Sequence, residues 1–375
     1  MNERLGLRLL AEIMKWPDEI ARREFEWLRL MARVKYDSYE DFRAGARFLE
    51  RLAIWLQQFF PKDRQLAYDF LRNRLIYIGP QEMQLLVERL YPEHVERDLI
   101  RAICSQMQLP TYNIWRSADA VAALKRSRRR ILFMALSDGA RIDELRRSNA
   151  GILSNEQIVV STQLDTSKWQ ELYRKLRKEQ GDKEAQFERI CLIDDFIASG
   201  TTLLRYEEDE KKWDGKIIRF RDTLRSAEAA LAGTADLTSL PIHIHHYLST
   251  ARAQLAIGER IAKLKADKPD EGWIGHLSFS FGYMLPAEVV LGKQMAAPFN
   301  PVIENYYDPA IESVHSAVSG VKSLMYGYAE CGLPLVLEHN TPNNSLPLLW
   351  AETDGDTTNG VHPMKPLFRR RQRHT

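Results

Sequence analysis

Between residues 25 and 59 the apolar side chains recur at helical spacing. Phe25, Leu28, Leu30 and Met31 in EFEWLRLMARV fall near a 3.6-residue period. So do Phe42, Ala46, Phe48, Leu49, Leu52, Ile54, Trp55 and Phe59 in SYEDFRAGARFLERLAIWLQQFF, with Ser38 as an N-cap. RQLAYDFLRNRLIYIG and PQEMQLLVERLYP add two shorter helices, the second with Pro80 near its start. Residues 1–115 therefore read as an all-helical domain. After Leu109-Pro110 the texture changes to short strand-like runs, with Ile190–Ile193 apolar on both sides, the mark of a strand covered on both faces. These runs are Ile131–Leu136, the β-branched EQIVVSTQL, ERICLIDD and LPIHIHHYLST. Charged helical patterns separate them: SKWQELYRKLRKEQGDKEAQ, ending near Gly181, and IIRFRDTLRSAEAALAG, closed by Gly233. Alternating strands and helices predict an α/β core with a mainly parallel sheet over residues 116–290. Ile131–Leu136, Ile190–Asp194 and Ile242–Tyr247 are expected as neighbouring strands. Residues 291–375, mixed in Pro, Asn and Gly, read as an extension completing the core or forming a hood, and end in a basic tail.

Composition changes this picture little. Of 375 residues, 53 are Lys or Arg and 51 Asp or Glu, a net charge of +2. Such a balance does not advertise a nucleic-acid partner. KRSRRR (Lys125 to Arg130) and the terminal FRRRQRHT are basic, but without interleaved aromatics they read as a helix end and a tail rather than a single-strand platform. Cys104, Cys191 and Cys331 form no disulfide framework or CxxC pair, so a cytoplasmic protein is expected. The first residues lack the apolar run of a signal peptide, and no stretch approaches the length of a membrane span.

The chemistry concentrates in ICLIDDFIASGTTLL. An apolar run, Ile190 to Ile193, ends in Asp194 and Asp195. Ala198, Ser199, Gly200, Thr201 and Thr202 then form a small-residue turn into a helix expected near Leu203. Such a turn offers backbone N–H groups and hydroxyls to a phosphate, and Gly200 would let the backbone approach it. No GxxxxGK[ST] is present, so this is not a Walker loop. Carboxylates beside a phosphate site repel the phosphate unless a sugar separates them. Vicinal ribose hydroxyls on the acids, with a 5′-phosphate in the turn, satisfy both groups. The alternative is an ordinary strand end and N-cap in another doubly wound sheet.

Strand, two acids, two residues and a Ser/Thr-Gly-x-Thr turn resemble the phosphoribosyl pyrophosphate (PRPP) motif of type I phosphoribosyltransferases. The resemblance covers about residues 115–290. It implies that Asp194 and Asp195 hold the ribose hydroxyls and that Ala198–Thr202 hold the 5′-phosphate. It also implies Mg²⁺ with the pyrophosphate. Upstream, Ser137-Asp138-Gly139-Ala140-Arg141 follows a buried strand and resembles the family's pyrophosphate loop. Gly139 would supply backbone freedom, Arg141 would meet the pyrophosphate oxygens, and Asp138 would hold Mg²⁺ through water. Asp194, Asp195 and Arg141 are then the catalytic set. The same segment also reads as a plain helix start capped by Ser137 or Asp138. The flanking regions depart from nucleotide-salvage enzymes and look more like phosphoribosyltransferase-type proteins of bacterial conflict and defence systems. In that setting an enzyme, a PRPP- or nucleotide-sensing module, and a pool-depleting effector are the competing functions. The helical domain could receive a partner protein.

Further candidates stand outside the motif. His243 and His245 fall on one strand face and His246 on the other, readable as a metal pair or as hydrogen-bonded histidines. His246, with Asn340, Asn343 and Asn344 in LEHNTPNNSLPLLW, could contact an acceptor, although the amide cluster is equally an Asn/Pro turn between two strands. The charged helix after Asp165 could be a flap carrying Lys168 or Arg174, or a surface helix. Two adjacent, mutually repelling acids are a poor folding device, so both are expected to be dispensable for stability.

Overall fold

The computed structural model describes residues 3–44, 47–231, 233, 235–292, 298–312, 320–356 and 358–370. The chain divides into two compact units, residues 83–285 and residues 1–82 with 286–375.

Residues 83–285 hold a five-stranded, all-parallel sheet. Its strands are β1 (Ile131–Ala135), β2 (Ile158–Val159), β3 (Arg189–Ile197), β4 (Ile242–Thr250) and β5 (Leu277–Leu285). The spatial order is β2-β1-β3-β4-β5. The three expected strands are therefore neighbours. Helices α1 (Ala118–Arg129), α2 (Ile142–Ser148), α3 (Thr166–Gln180), α4 (Lys216–Ala230) and α5 (Ala251–Asp267) connect or flank them. Every residue of β1 and β4 is buried, which is why β1 lacks polar alternation. Leu132, Leu192 and Ile244 face one core with Trp169, Leu172 and Leu176 of α3 and Phe220 and Leu224 of α4. Of the two readings of this charged segment, flap or surface helix, the helix is the one found, packed through Trp169, Leu172 and Leu176. It is capped by Asp165, whose side chain accepts from the Lys168 N–H, and by left-handed Gly181.

Four sequence expectations change. β5 lies in the stretch read as irregular; its LSFSFGYML is amphipathic enough for an edge strand but carries no turn signals. β3 extends through Ile197, so the two acids lie within the strand rather than at its end. No helix begins near Leu203. A single turn there leads into an antiparallel hairpin, Arg205–Glu207 with Lys212–Asp214, and α4 starts at Lys216. α4 ends at Ala230, ahead of the expected stop at Gly233.

The division of the chain also differs from the helical, core and extension segments expected at 1–115, 116–290 and 291–375. Helical residues 83–116 group with the sheet. Tyr91 lies under Arg128 of α1, Glu96 pairs with Arg128 at 2.8 Å, and the His94 ring lies 4.9 Å from His245. Residues 286–370 group with residues 3–82. Strand Ile76–Ile78 pairs with Leu335–Leu337, and Phe368 packs between Phe42, Phe48 and Tyr39. This unit's helices include Glu3–Met14, Asp18–Val34, Phe48–Gln57 and Arg64–Arg74. LPLLW is the short helix Pro347–Trp350 rather than a strand. Ala46 and tail residues 371–375 lie outside the described residues. Among the described residues, no helix is long and apolar enough to cross a membrane.

Two of the three histidines of β4 are hydrogen-bonded through their side chains. His243 Nδ1 lies 2.9 Å from Ser278 Oγ and its Nε2 2.7 Å from Ser280 Oγ, while His245 Nδ1 also meets Ser280 Oγ at 2.7 Å. Burial lowers the pKa of His243 to about 4 and of His246 to about 3, and holds His245 well below its ordinary value. Unfolded histidine titrates near ~6.5. Neutral burial therefore favours folding above that pH, and the advantage is lost as pH falls toward the folded values. Each ring contributes roughly 1.4 kcal/mol per pH unit inside that window. The thermal midpoint should drop sharply between pH 7.5 and pH 5.5 (about one unit below the unfolded value), and His246→Asn should flatten the dependence. An unchanged midpoint would contradict this account.

Candidate functional site

The strand order reverses between β1 and β3, the place where open α/β sheets bind ligands at their carboxyl ends. β1 pairs with β3 only as far as Ala135 opposite Ile193, and the Leu136 N–H closes the ladder on the Ile193 carbonyl at 2.8 Å. β3 runs on past this point. Asp194 and Asp195 therefore line a step where the neighbouring strand has already turned away.

The two loops singled out in the sequence meet at this step. Ser137 Oγ donates to Asp194 Oδ1 and accepts from the Gly139 N–H at 3.2 Å. Ser137 is thus both cap and site residue, and the two readings of this segment coexist. A Cβ on Gly139 would overlap the Asp195 carboxylate. Gly139 is needed for this close approach rather than for backbone freedom. The left-handed residue is Arg141, at φ 49°, immediately before α2. A non-glycine residue held there stores on the order of 1 kcal/mol of strain. Arg141 Nη1 lies 3.6 Å from Glu144. Asp138 is exposed beside this turn.

Asp194 is 4% exposed. Its Oδ1 also accepts from the Asp195 N–H at 3.1 Å, and its Oδ2 pairs with Lys216 Nζ. Burial raises its pKa and adjacent Asp195 adds to this, against Lys216 and Ser137, which lower it. Asp195 is the more open acid, and its Oδ1 accepts from the Phe196 N–H at 2.8 Å. Lys216 is the residue that sequence reading missed. It sits 22 positions beyond Asp194, across an inserted hairpin, and no local pattern marks it.

The Ala198–Thr202 turn is braced by α5 rather than formed by a helix N-terminus. Thr250 Oγ1 donates to the Ala198 carbonyl at 2.7 Å, and Arg260 Nη1 donates to the Ser199 carbonyl at 2.9 Å. The Gly200 carbonyl accepts from Leu203 and Leu204, and the Thr202 carbonyl from Lys216 N–H. Gly200 has φ +72°, and a side chain there would press on Arg260 and Ile257. Its glycine therefore serves close packing on the protein's own helix. With its carbonyls engaged, the turn directs its N–H groups elsewhere. The Thr201 N–H makes only a long contact of 3.4 Å to Ser199 Oγ, and among the described residues the Gly200 and Thr202 N–H groups donate to no protein acceptor. Ser199 and Thr201 are buried, and Thr202 is exposed. Successive N–H groups of this kind form an anion-binding concavity.

His246 is buried opposite Asp194 in the register of β3 and β4, and its Nδ1 has no hydrogen-bond partner. Asn340, Asn343 and Asn344 belong to the other compact unit. Asn344 Nδ2 there donates to the Tyr328 carbonyl at 3.1 Å, and the Asn343 carbonyl accepts from Tyr328 N–H, so the amide loop is tied into its own turn. Of the basic cluster, Arg128, Arg129 and Arg130 pair with Glu96, Glu179, Asp182 and Glu188.

The Lys216 pair argues against the expectation that both acids are dispensable for folding. Asp194→Asn leaves an ammonium without its carboxylate in a mostly buried setting and should cost on the order of 1–3 kcal/mol. Asp195→Asn should stay within about 0.5–1 kcal/mol. Adding Lys216→Met should recover part of the Asp194→Asn loss, a coupling that a double-mutant cycle by urea unfolding measures. Equal stability of all variants would show that the pair does not hold the fold.

No curated protein and no solved structure matches the chain. The family comparison does: the PRTase-CE profile matches residues 52–370. That range includes the whole sheet, both loops and the Lys216 helix, and it covers most of the sequence. The chain belongs to PRTase-CE, a phosphoribosyltransferase-type family.

Proposed function

We propose that this phosphoribosyltransferase-like protein binds PRPP at the step between β1 and β3 and transfers or releases its phosphoribosyl group. The observation that carries the reading is the Ala198–Thr202 turn, where the Ala198, Ser199, Gly200 and Thr202 carbonyls are tied back while, among the described residues, the N–H groups of Gly200 and Thr202 have no protein acceptor. In this reading the turn holds the 5′-phosphate, helped by the exposed Thr202 hydroxyl. Asp195 accepts from a ribose hydroxyl. Asp194 has three protein donors already, so it takes the second hydroxyl only by sharing or releasing Lys216. Arg141 and the N–H groups of its turn face the pyrophosphate, where a guanidinium makes charge-assisted bonds.

Mg²⁺ fits this donor set in one way only. Among the described residues, no three His, Cys, Asp or Glu side chains converge as a cage. A magnesium ion carried by pyrophosphate and water needs just one or two carboxylates, and exposed Asp138 would hold it through water. When bound, the ion would neutralise charge building on the departing pyrophosphate. The protein's own part is positioning. The turn and the acids fix both ends of the ribose, and cleavage at the anomeric carbon develops oxocarbenium character close to the Asp195 carboxylate. The acceptor would enter at the carboxyl end of β4, where the buried His246 Nδ1 has no protein partner. A cytoplasmic effector that depletes a nucleotide pool in a defence system is the setting we infer from the family resemblance.

A sensing module that binds PRPP or a nucleotide without turnover, and signals to a partner protein at the helical region, is favoured by one feature. The Lys216–Asp194 pair already occupies an acid that turnover would use. The two readings separate in solution. With Mg²⁺, PRPP should bind the wild type, and Asp195→Asn and Thr202→Val should each weaken it tenfold to a hundredfold, the effect of losing one hydrogen bond to a charged group at ~1.5–3 kcal/mol. Calorimetric titration decides this, and equal affinity in all three proteins would reject the donor site. Pyrophosphate release over hours with pooled bases and nucleosides supports the enzyme. Binding without release supports the sensor.

A further inference from the structure

The amino ends of the same strands border a second cavity, of about 470 Å³. Arg189 opens β3, His243 is the second residue of β4, and Ser278 and Ser280 lie on β5. The facing wall is one side of the helical stretch from Leu90 to Gln106, which contributes His94 and Arg101. Along β3, Arg189 and Asp194 are separated by five strand residues, roughly 16 Å, so this cavity and the step at the carboxyl ends are separate places.

The charges around the cavity do not cancel. Its two acids are already matched: Glu93 pairs with Arg89 at 2.8 Å, and Asp98 lies 3.6 Å from Arg101. Arg189 has no ion-pair or hydrogen-bonding partner among the described residues, although it is half-buried. A half-buried guanidinium without a counter-charge pays desolvation for no return in the fold. It can recover that cost from an anion.

The polar lining supplies further donors. His243, neutral through burial and the Arg189 charge, carries one N–H between two serine hydroxyls. When Nδ1–H donates to Ser278, the Ser278 hydroxyl keeps its own proton for a ligand. The ring of His94 and the side chain of Phe279 add flat apolar surface. The volume falls in the range of small-molecule sites.

We propose that this cavity is a binding site for a small phosphomonoester of mononucleotide size, its phosphate on Arg189 and Ser278. The site does not depend on the donor-site reading above. It would give the chain a second ligand on the two strands, β3 and β4, that carry Asp194, Asp195 and His246 further along.

Calorimetry on the full chain with 5′-AMP, inorganic phosphate and adenosine tests it. AMP should bind saturably, phosphate more weakly, and adenosine at least tenfold more weakly than AMP. Arg189→Gln should weaken AMP at least tenfold. Ser278→Asp should do the same by setting a carboxylate against the phosphate, and because Ser278 is exposed that variant keeps its fold, checked by circular dichroism. Because a ribose 5-phosphate is also expected at the Ala198–Thr202 turn, the cavity variants are compared in the Thr202→Val background, where AMP should still bind saturably. Adenosine as tight as AMP, AMP affinity unaltered in both cavity variants, loss of AMP binding in Thr202→Val, or no AMP binding up to millimolar concentration would each overturn the proposal.

Discussion

A carboxylate buried within a parallel sheet must be compensated, and most of this site follows from how Asp194 meets that demand. Desolvation raises its pKa, and three groups answer: the Ser137 hydroxyl, the Asp195 N–H and the Lys216 ammonium. The first and the last each tie a different segment to β3. Ser137 brings in the loop after β1, and Lys216 brings in the start of α4. Lys216 also donates its backbone N–H to Thr202, so the glycine turn is anchored to the same residue. Buried ion pairs contribute little net stability, but breaking one is costly. The pair is therefore better understood as fixing loop geometry than as strengthening the fold.

In the proposed reading, that geometry bears on function through a competition. A ribose hydroxyl seeking Asp194 finds its oxygens engaged, whereas Asp195, on the other side of the strand, is more open and lies against Gly139. Adjacent strand residues point to opposite faces. The two acids are thus alike in sequence and unlike in environment, one buried under three protein donors and one more exposed. A ligand that draws Asp194 away from Lys216 would loosen the hold on the glycine turn and α4. This provides a physical route from occupancy to conformational change, whether the protein turns over or only senses.

β4 carries a second consequence of full burial. Its three histidines are neutral, and two are stitched to serines of β5. Alternation places His243 and His245 toward the helices before β1, and His246 toward the face that Asp194 shares. Polar residues here replace the apolar ones that a central strand would ordinarily use. They specify the pairing of β4 with β5, an edge strand that lacks strong sequence signals of its own.

The sequence by itself determined the parallel α/β core, its three central strands and the meeting of the two loops. Each is a local pattern: an apolar run of strand length, then small and charged residues where the run ends. The acids, Gly139 and the Ser199–Thr202 turn were legible because their spacing is short. Only tertiary structure decided the rest. Lys216 reaches Asp194 across an inserted hairpin, and Arg260 and Thr250 brace the turn from a helix about fifty residues downstream. The helices of residues 83–116 join the sheet, and residues 286–370 join the N-terminal helices. Amphipathic helices state that they have a buried face but not which core will cover it. Long-range ion pairs leave no periodicity at all, so the partner of a buried charge is fixed only when the chain has folded around it.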